Sequence, residues 1–204
     1  MYYELATITV RLGTAAQAAP RVGEYAGAPE AKGRLLGCWL SDIGELNRLY
    51  VLRGFEDEAE LQAERQRGLL SGDPFGCAEF AVRFETQGYA SFPWLPPVET
   101  GRFGPFFEIR TYELKPGGLA PTLEAWQAAL PARHAMSPCL IAMYTLDGAP
   151  RITSIWPTAT LEQRSKARSE SVQQGIWPPK GGPAWLTTQM QSTICLPTAI
   201  SPLQ

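Results

Sequence analysis

The sequence has a single histidine, His134, among 204 residues. A metal centre built on imidazole needs further ligands at suitable spacing, and no second histidine or carboxylate supplies them, so no metal is expected. A haem would need His134 as its axial histidine, and its position in a loop after a helix speaks against that, so no cofactor is expected. The four cysteines, Cys38, Cys77, Cys139 and Cys195, are far apart and form no Cys-x-x-Cys pair. They read as reduced, buried thiols, with two disulfides as the alternative. No Gly-x-Ser-x-Gly, Gly-x-Gly-x-x-Gly or Walker A pattern occurs, which argues against hydrolase, dinucleotide and P-loop chemistry. A net charge of −2 provides no basic field to hold nucleic acid or an anionic membrane. No apolar run reaches the ~18 residues of a membrane span. The opening Met-Tyr-Tyr-Glu-Leu-Ala-Thr-Ile-Thr-Val has neither a basic start nor an apolar core, so it reads as a strand rather than a signal peptide, and a cytoplasmic protein is expected.

What is present is ordinary for a globular chain: 45% apolar and 19% charged residues. The length allows one large domain or two small ones. Self-similarity chooses between them. Tyr2-Tyr3-Glu4-Leu5-Ala6-Thr7-Ile8-Thr9-Val10-Arg11-Leu12-Gly13 lies over Phe106-Phe107-Glu108-Ile109-Arg110-Thr111-Tyr112-Glu113-Leu114-Lys115-Pro116-Gly117. Between the copies stands Phe92-Pro93-Trp94-Leu95-Pro96-Pro97, whose prolines disfavour regular structure. The division is therefore residues 1–98 and 99–204.

Each copy yields the same string of elements. Strands are predicted over 2–11, 34–41, 46–54 and 78–88, then over 105–115, 139–146, 151–156 and 185–195. Helices are predicted over 14–30, 57–70 and 118–130, and from Thr160 onward. Asp57 with Glu60, and Thr160 with Gln163, are capping boxes. Leu119, Leu123, Trp126 and Leu130 mark one face of the third helix. The order β-α-β-β-α-β, twice, is the ferredoxin-like unit. Its sheet has helices on one face only, and a second copy can cover the other. The expected fold is α+β, with two tandem ferredoxin-like repeats whose antiparallel sheets face each other as an intrachain barrel.

Phe107-Glu108-Ile109-Arg110-Thr111-Tyr112-Glu113-Leu114-Lys115-Pro116-Gly117 resembles the opening strand of a NIPSNAP domain. Leu36-Gly37-Cys38-Trp39, the turn from Asp42 to Leu46, and Asn47-Arg48-Leu49-Tyr50-Val51-Leu52 resemble its hairpin. The resemblance covers nearly the whole chain as two tandem domains. It implies the dimeric α+β barrel fold, closed here within one molecule, and a homodimer is the candidate assembly. It implies no settled activity, because the fold also carries cofactor-free monooxygenases and haem enzymes. The copies differ: Ala6 and Ile8 stand where Arg110 and Tyr112 stand in the second, so any site is asymmetric.

The residues that could carry chemistry are few. Alternation puts Glu108, Arg110 and Tyr112 on one face of their strand and Phe107, Ile109 and Thr111 on the other. The apolar set suits the helix-covered side, so the polar set is expected to point into the barrel. It could orient a ligand or tune a proton transfer, or be an internal ion pair with Tyr112 as packing. Glu4 is the counterpart of Glu108. His134 has the chemistry of a general base. Trp39, Tyr50, Tyr144 and Trp156 lie on predicted central strands and would either line an apolar pocket or fill a core. Arg65, Arg67, Arg164 and Arg168 read as charges answering helix dipoles. Three functions follow: binding of a small hydrophobic or aromatic molecule, cofactor-free oxidation or isomerisation of one, or a protein-interaction role with a filled barrel.

Overall fold

The computed structural model describes all of residues 1–204. The first repeat contains β1 (Tyr2–Val10), α1 (Ala15–Ala26), β2 (Arg34–Ile43), β3 (Arg48–Phe55), α2 (Glu58–Leu70) and β4 (Ala81–Ser91). The second contains β5 (Phe106–Leu114), α3 (Leu119–Met136), β6 (Ile141–Thr145), β7 (Arg151–Thr158), α4 (Leu161–Gln173) and β8 (Leu186–Pro197). Both expected caps form: the Asp57 carboxylate accepts from the Glu60 N–H at 2.8 Å, and the Thr160 hydroxyl from the Gln163 N–H at 3.0 Å. The β2–β3 hairpin turns through Gly44 and Asn47, both at positive φ.

Two helices end away from their expected limits. α1 stops at Ala26, before Pro29, and α3 runs through Pro131 to Met136. Pro131 is exposed, so its ring meets solvent and not the sheet. His134 therefore lies in the last turn of α3 rather than in a loop, and its Nδ1 accepts the Cys139 N–H at 3.2 Å.

Within the repeats the strands are ordered β4-β1-β3-β2 and β6-β7-β5-β8, all antiparallel. The sheets join edge to edge, β2 to β8 from Trp39↔Pro197 to Ile43↔Ile194, and β4 to β6 from Tyr89↔Thr145 to Ser91↔Met143. One closed ring of eight strands results, with helices outside. Closure leaves no unpaired sheet edge.

Inward-facing side chains change character along each strand. Tyr3-Leu5-Thr7 on β1, Phe107-Ile109-Thr111 on β5, Ile155-Thr153-Arg151 on β7 and Leu52-Tyr50-Arg48 on β3 all pass from apolar to polar in the same direction. The apolar half packs into one cluster with Trp39 and Met143. Its end is covered by Val98 from the connector and Leu203 from the C-terminal segment, whose N–H donates to Leu36 O at 3.0 Å. The polar half opens at the other mouth. Two further clusters lie outside the ring, one beneath α1 and one beneath α3.

A bulge near Leu36 sets β2 so that Gly37 and Trp39 both face inward, with the indole lying over Gly37. A Cβ on residue 37 would sit 2.0 Å from Trp39 Cη2. Gly37→Ala is expected to cost about 1–3 kcal/mol by overpacking. Combining it with Trp39→Leu should remove most of that penalty, measured by a double-mutant cycle in urea.

Candidate functional site

At the open mouth of the barrel is a cleft of about 550 Å³, to which β1, β3, β4, β5, β7 and β8 all contribute. Leu5, Tyr50, Tyr89 and Ile109 are its only hydrophobic lining residues. Its floor is a hydrogen-bonded chain. Thr111 and Thr153 hydroxyls lie 2.9 Å apart, and Thr153 donates to Tyr89 Oη at 3.2 Å. Burial pushes the Tyr89 phenol pKa up, so it stays a neutral hydroxyl. Two rim arginines are neutralised locally, Arg48 by Glu45 and Arg83 by Glu85. Arg151 differs. Its Nη2 donates to Gln87 Oε1 at 2.7 Å, and its Nε is buried with no partner.

A second site lies outside the ring, between the sheet and helices α3 and α4. Phe107 and Ile109 point into the barrel, and Glu108, Arg110 and Tyr112 point outward to the helices. The expected facing of this strand is thus reversed. The reason is α4, whose sequence Leu-Glu-Gln-Arg-Ser-Lys-Ala-Arg-Ser-Glu-Ser-Val-Gln buries only Ala167 and Ser171 and has no apolar stripe to lay on a sheet. It covers the polar face of β5 instead, and the barrel takes the apolar one.

Glu108 is the centre of this site. It is 3% exposed. Its Oε1 accepts from Arg110 Nη1, Arg164 Nη2 and Ser192 Oγ, each at 2.5 Å, and its Oε2 accepts from Arg164 Nε at 2.8 Å. Arg168 Nη1 is 4.0 Å away. Burial alone would raise the Glu108 pKa. The hydrogen bond from Arg164, the charge of Arg110 and the Ser192 hydroxyl outweigh it and hold the carboxyl down at about 2. Arg110 Nε also donates to Tyr112 Oη. Arg164 and Arg168 therefore serve a buried carboxylate rather than a helix dipole, and Arg164 sits near the start of α4, not its end.

Beside this network is a small cavity of about 20 Å³, enclosed partly by Trp126, Trp156 and Trp177. Arg133 of α3 lines it too, with its guanidinium 4.9 Å from the centre of the Trp156 ring. A helix ending before Pro131 leaves Arg133 outside it, and the helix in fact continues to Met136. Continuing the helical period from Trp126 and Leu130 places residue 133 on the same buried face.

The structure gathers Glu108, Arg110, Tyr112 and Trp156 around this one cavity. The other expected residues are scattered. Tyr50 alone lines the barrel cleft, and Trp39 is wholly buried in the closed half of the barrel. Tyr144 faces outward, packed beneath α3. Glu4 faces α2, where it pairs with Arg53. His134 is exposed at the end of α3. No three His, Cys, Asp or Glu side chains come together in a metal-binding group.

The first repeat has a counterpart with different charge. Arg53 joins Glu4 to Glu64, and Arg67 also pairs with Glu64. Across the ladder Glu4 stands opposite Arg53, and Glu108 stands opposite Trp156. Aligning the two helices on their caps, Asp57 and Thr160, places Glu64 over Ala167 and Leu61 over Arg164. In the first repeat the buried acids Glu4 and Glu64 meet Arg53 and Arg67, and the exposed Glu30 lies 3.8 Å from Arg67; in the second, three guanidinium groups lie within 4.0 Å of one carboxylate and a fourth, Arg133, lines the same cavity.

Two ferredoxin-like repeats, fused and closed into one ring with helices outside, define an α+β barrel completed within a single chain. The chain belongs to the NIPSNAP family, whose profile matches residues 3–88 and again 107–202. No curated protein matches it. Among solved structures, a protein from Lactobacillus acidophilus NCFM, provisionally described as a monooxygenase, is similar over 96% of this chain and 93% of its own, with TM-score 0.68 and 12% identity. An anthrone oxidase-like protein is similar over 97% of this chain and 91% of its own, with TM-score 0.67 and 11% identity. An uncharacterised NIPSNAP domain protein from Burkholderia xenovorans, 22% identical, aligns over 48% of this chain and 100% of its own with TM-score 0.38. The first two likenesses concern the fold.

Because folding depresses the Glu108 pKa, its contribution is complete above the ordinary carboxylate range and lost as pH falls toward about 2. The loss should amount to about 3 kcal/mol, the difference between an ordinary carboxyl and this one. Glu108→Gln should be less stable than the natural chain at pH 7, and the difference should shrink as pH falls from about 5 to 2. Urea unfolding across that range measures it.

Proposed function

We propose that this protein binds a small polar organic molecule in the open mouth of its barrel. The observation that carries this reading is the 550 Å³ cleft, with hydroxyls of Thr111 and Tyr89 at its floor and Arg151 unmatched by a carboxylate. That volume lies within the range of pockets that hold small ligands. A hydrophobic or aromatic ligand fits this lining poorly, since eleven of its fifteen residues are not hydrophobic. A carboxylate or similar acceptor suits it, with Arg151 taking the acceptor and Tyr50 and Ile109 contacting the carbon skeleton. A filled barrel used only for protein interaction is disfavoured by the same cleft. We place the protein in a reducing compartment, because its four thiols are free and buried. No helix is long and apolar enough to cross a membrane.

Cofactor-independent oxidation is the second reading, and the description of two structures that share the fold raises it. Its place would be the pair Arg110 and Tyr112, but the cavity there, about 20 Å³, is far smaller than an aromatic substrate. Oxygen consumption with an anthrone-class substrate tests it, and an uptake abolished by Tyr112→Phe would favour it over simple binding.

The binding reading is tested by native mass spectrometry and thermal-shift titration with small hydroxy and keto carboxylates. A saturable ligand should be found, with affinity lowered about 10–100-fold by Arg151→Met, the range expected for a lost charge-assisted hydrogen bond. Thr111→Val should weaken it by a smaller factor. A ligand indifferent to both substitutions, or no ligand in this class, overturns the assignment.

A further inference from the structure

The second repeat concentrates charge in a way that the first does not. Glu108 is saturated by Arg110, Arg164 and Ser192. Arg133 takes part in none of these bonds. It is 6% exposed, and its Nη1 is buried with no hydrogen-bond partner. A buried guanidinium without a counter-charge is a costly arrangement, and proteins pair such groups. The first repeat follows that rule with Glu4 and Glu64 against Arg53 and Arg67.

We propose that the cavity bounded by Arg133, Arg168 and the three indoles of Trp126, Trp156 and Trp177 is a binding site for a compact monovalent anion of halide size. Several observations agree. The Glu108 carboxylate also lines the cavity, but Arg110 and Arg164 answer its charge, and an anion there would meet the guanidinium groups of Arg133 and Arg168. The volume of about 20 Å³ accommodates one water-sized body and excludes a multi-atom oxyanion. Arg168 is 42% exposed and provides the route from solvent. The anion would lessen the excess of positive charge in the second repeat, which has no counterpart of Glu64; Ala167 stands in the matching position of α4. The site is separate from the barrel cleft, which shares no lining residue with it.

Bromide titration at constant ionic strength, with gluconate as the replacing anion, tests the proposal. Three of the six tryptophans line the cavity, so a bound heavy halide should quench their fluorescence saturably, on top of the linear quenching of exposed indoles. The melting temperature should rise with bromide over the same concentrations. Arg133→Met should weaken the apparent affinity at least tenfold, and Arg168→Gln should weaken it less. Arg21→Gln, an exposed change on α1, should leave the response intact. Crystals grown in bromide should show an anomalous peak against Arg133. Purely linear quenching, a saturable response that survives in Arg133→Met, or an anomalous map with peaks only elsewhere would each overturn the proposal. Should Arg133→Met fail to fold, Arg168→Gln and the anomalous map decide the matter.

Discussion

Closure of the ring is the constraint on which the rest depends. When β2 meets β8 and β4 meets β6, both faces of β1, β3, β5 and β7 are covered over much of their length, one by the opposite wall and one by a helix. A polar side chain then has two permitted places. It can stand at the open mouth, where water reaches it, or lie beneath a helix with its charge answered. The structure uses both. The threonines, glutamines and arginines of the cleft take the first place, and Glu4 and Glu108 take the second.

The two repeats solve the second problem with different chemistry on one scaffold. Beneath α2, the buried acids Glu4 and Glu64 meet two arginines, and cation–π contact adds to them: Arg53 lies 4.7 Å from the centre of the Phe75 ring and Arg67 3.6 Å from that of Tyr25. Beneath α4, Trp156 takes the position of Arg53 and Ala167 that of Glu64, and arginines come from two helices and a strand. A duplicated fold leaves such freedom because the backbone pairing does not depend on which side chains fill the helix-facing layer. The aromatic box of the second repeat, with Trp126 and Trp177 4.8 Å apart and edge to face, exists only because that layer changed.

Much of the architecture was legible in one dimension. Alternation in Tyr2–Val10 and Phe106–Leu114, the two capping boxes and the offset between the copies were enough to define twelve elements and their order, and the motif Phe107–Gly117 carried the resemblance to the family. The assignment of faces was not. Phe107 and Glu108 alternate with perfect regularity, yet alternation says only that they point in opposite directions, not which direction is inside. A sign was present in α4, whose lack of apolar residues at helical spacing makes it a poor cover for Phe107 and Ile109. The inward run from Leu5 to Thr7 and from Ile109 to Thr111 also foreshadowed a barrel apolar at one end and polar at the other, but only if the strands are already aligned.

The sequence by itself determined the elements, the duplication and the membership of the NIPSNAP family, because these depend on local periodicity, end-capping and motifs within a few residues of one another. Only the tertiary structure decided the site. Glu108 meets Arg164 across 56 positions and Ser192 across 84, and Arg133 reaches the same cavity from a helix that continues past a proline. Contacts of that range depend on strand register and helix placement, which arise when the whole ring closes and which no local run of residues specifies.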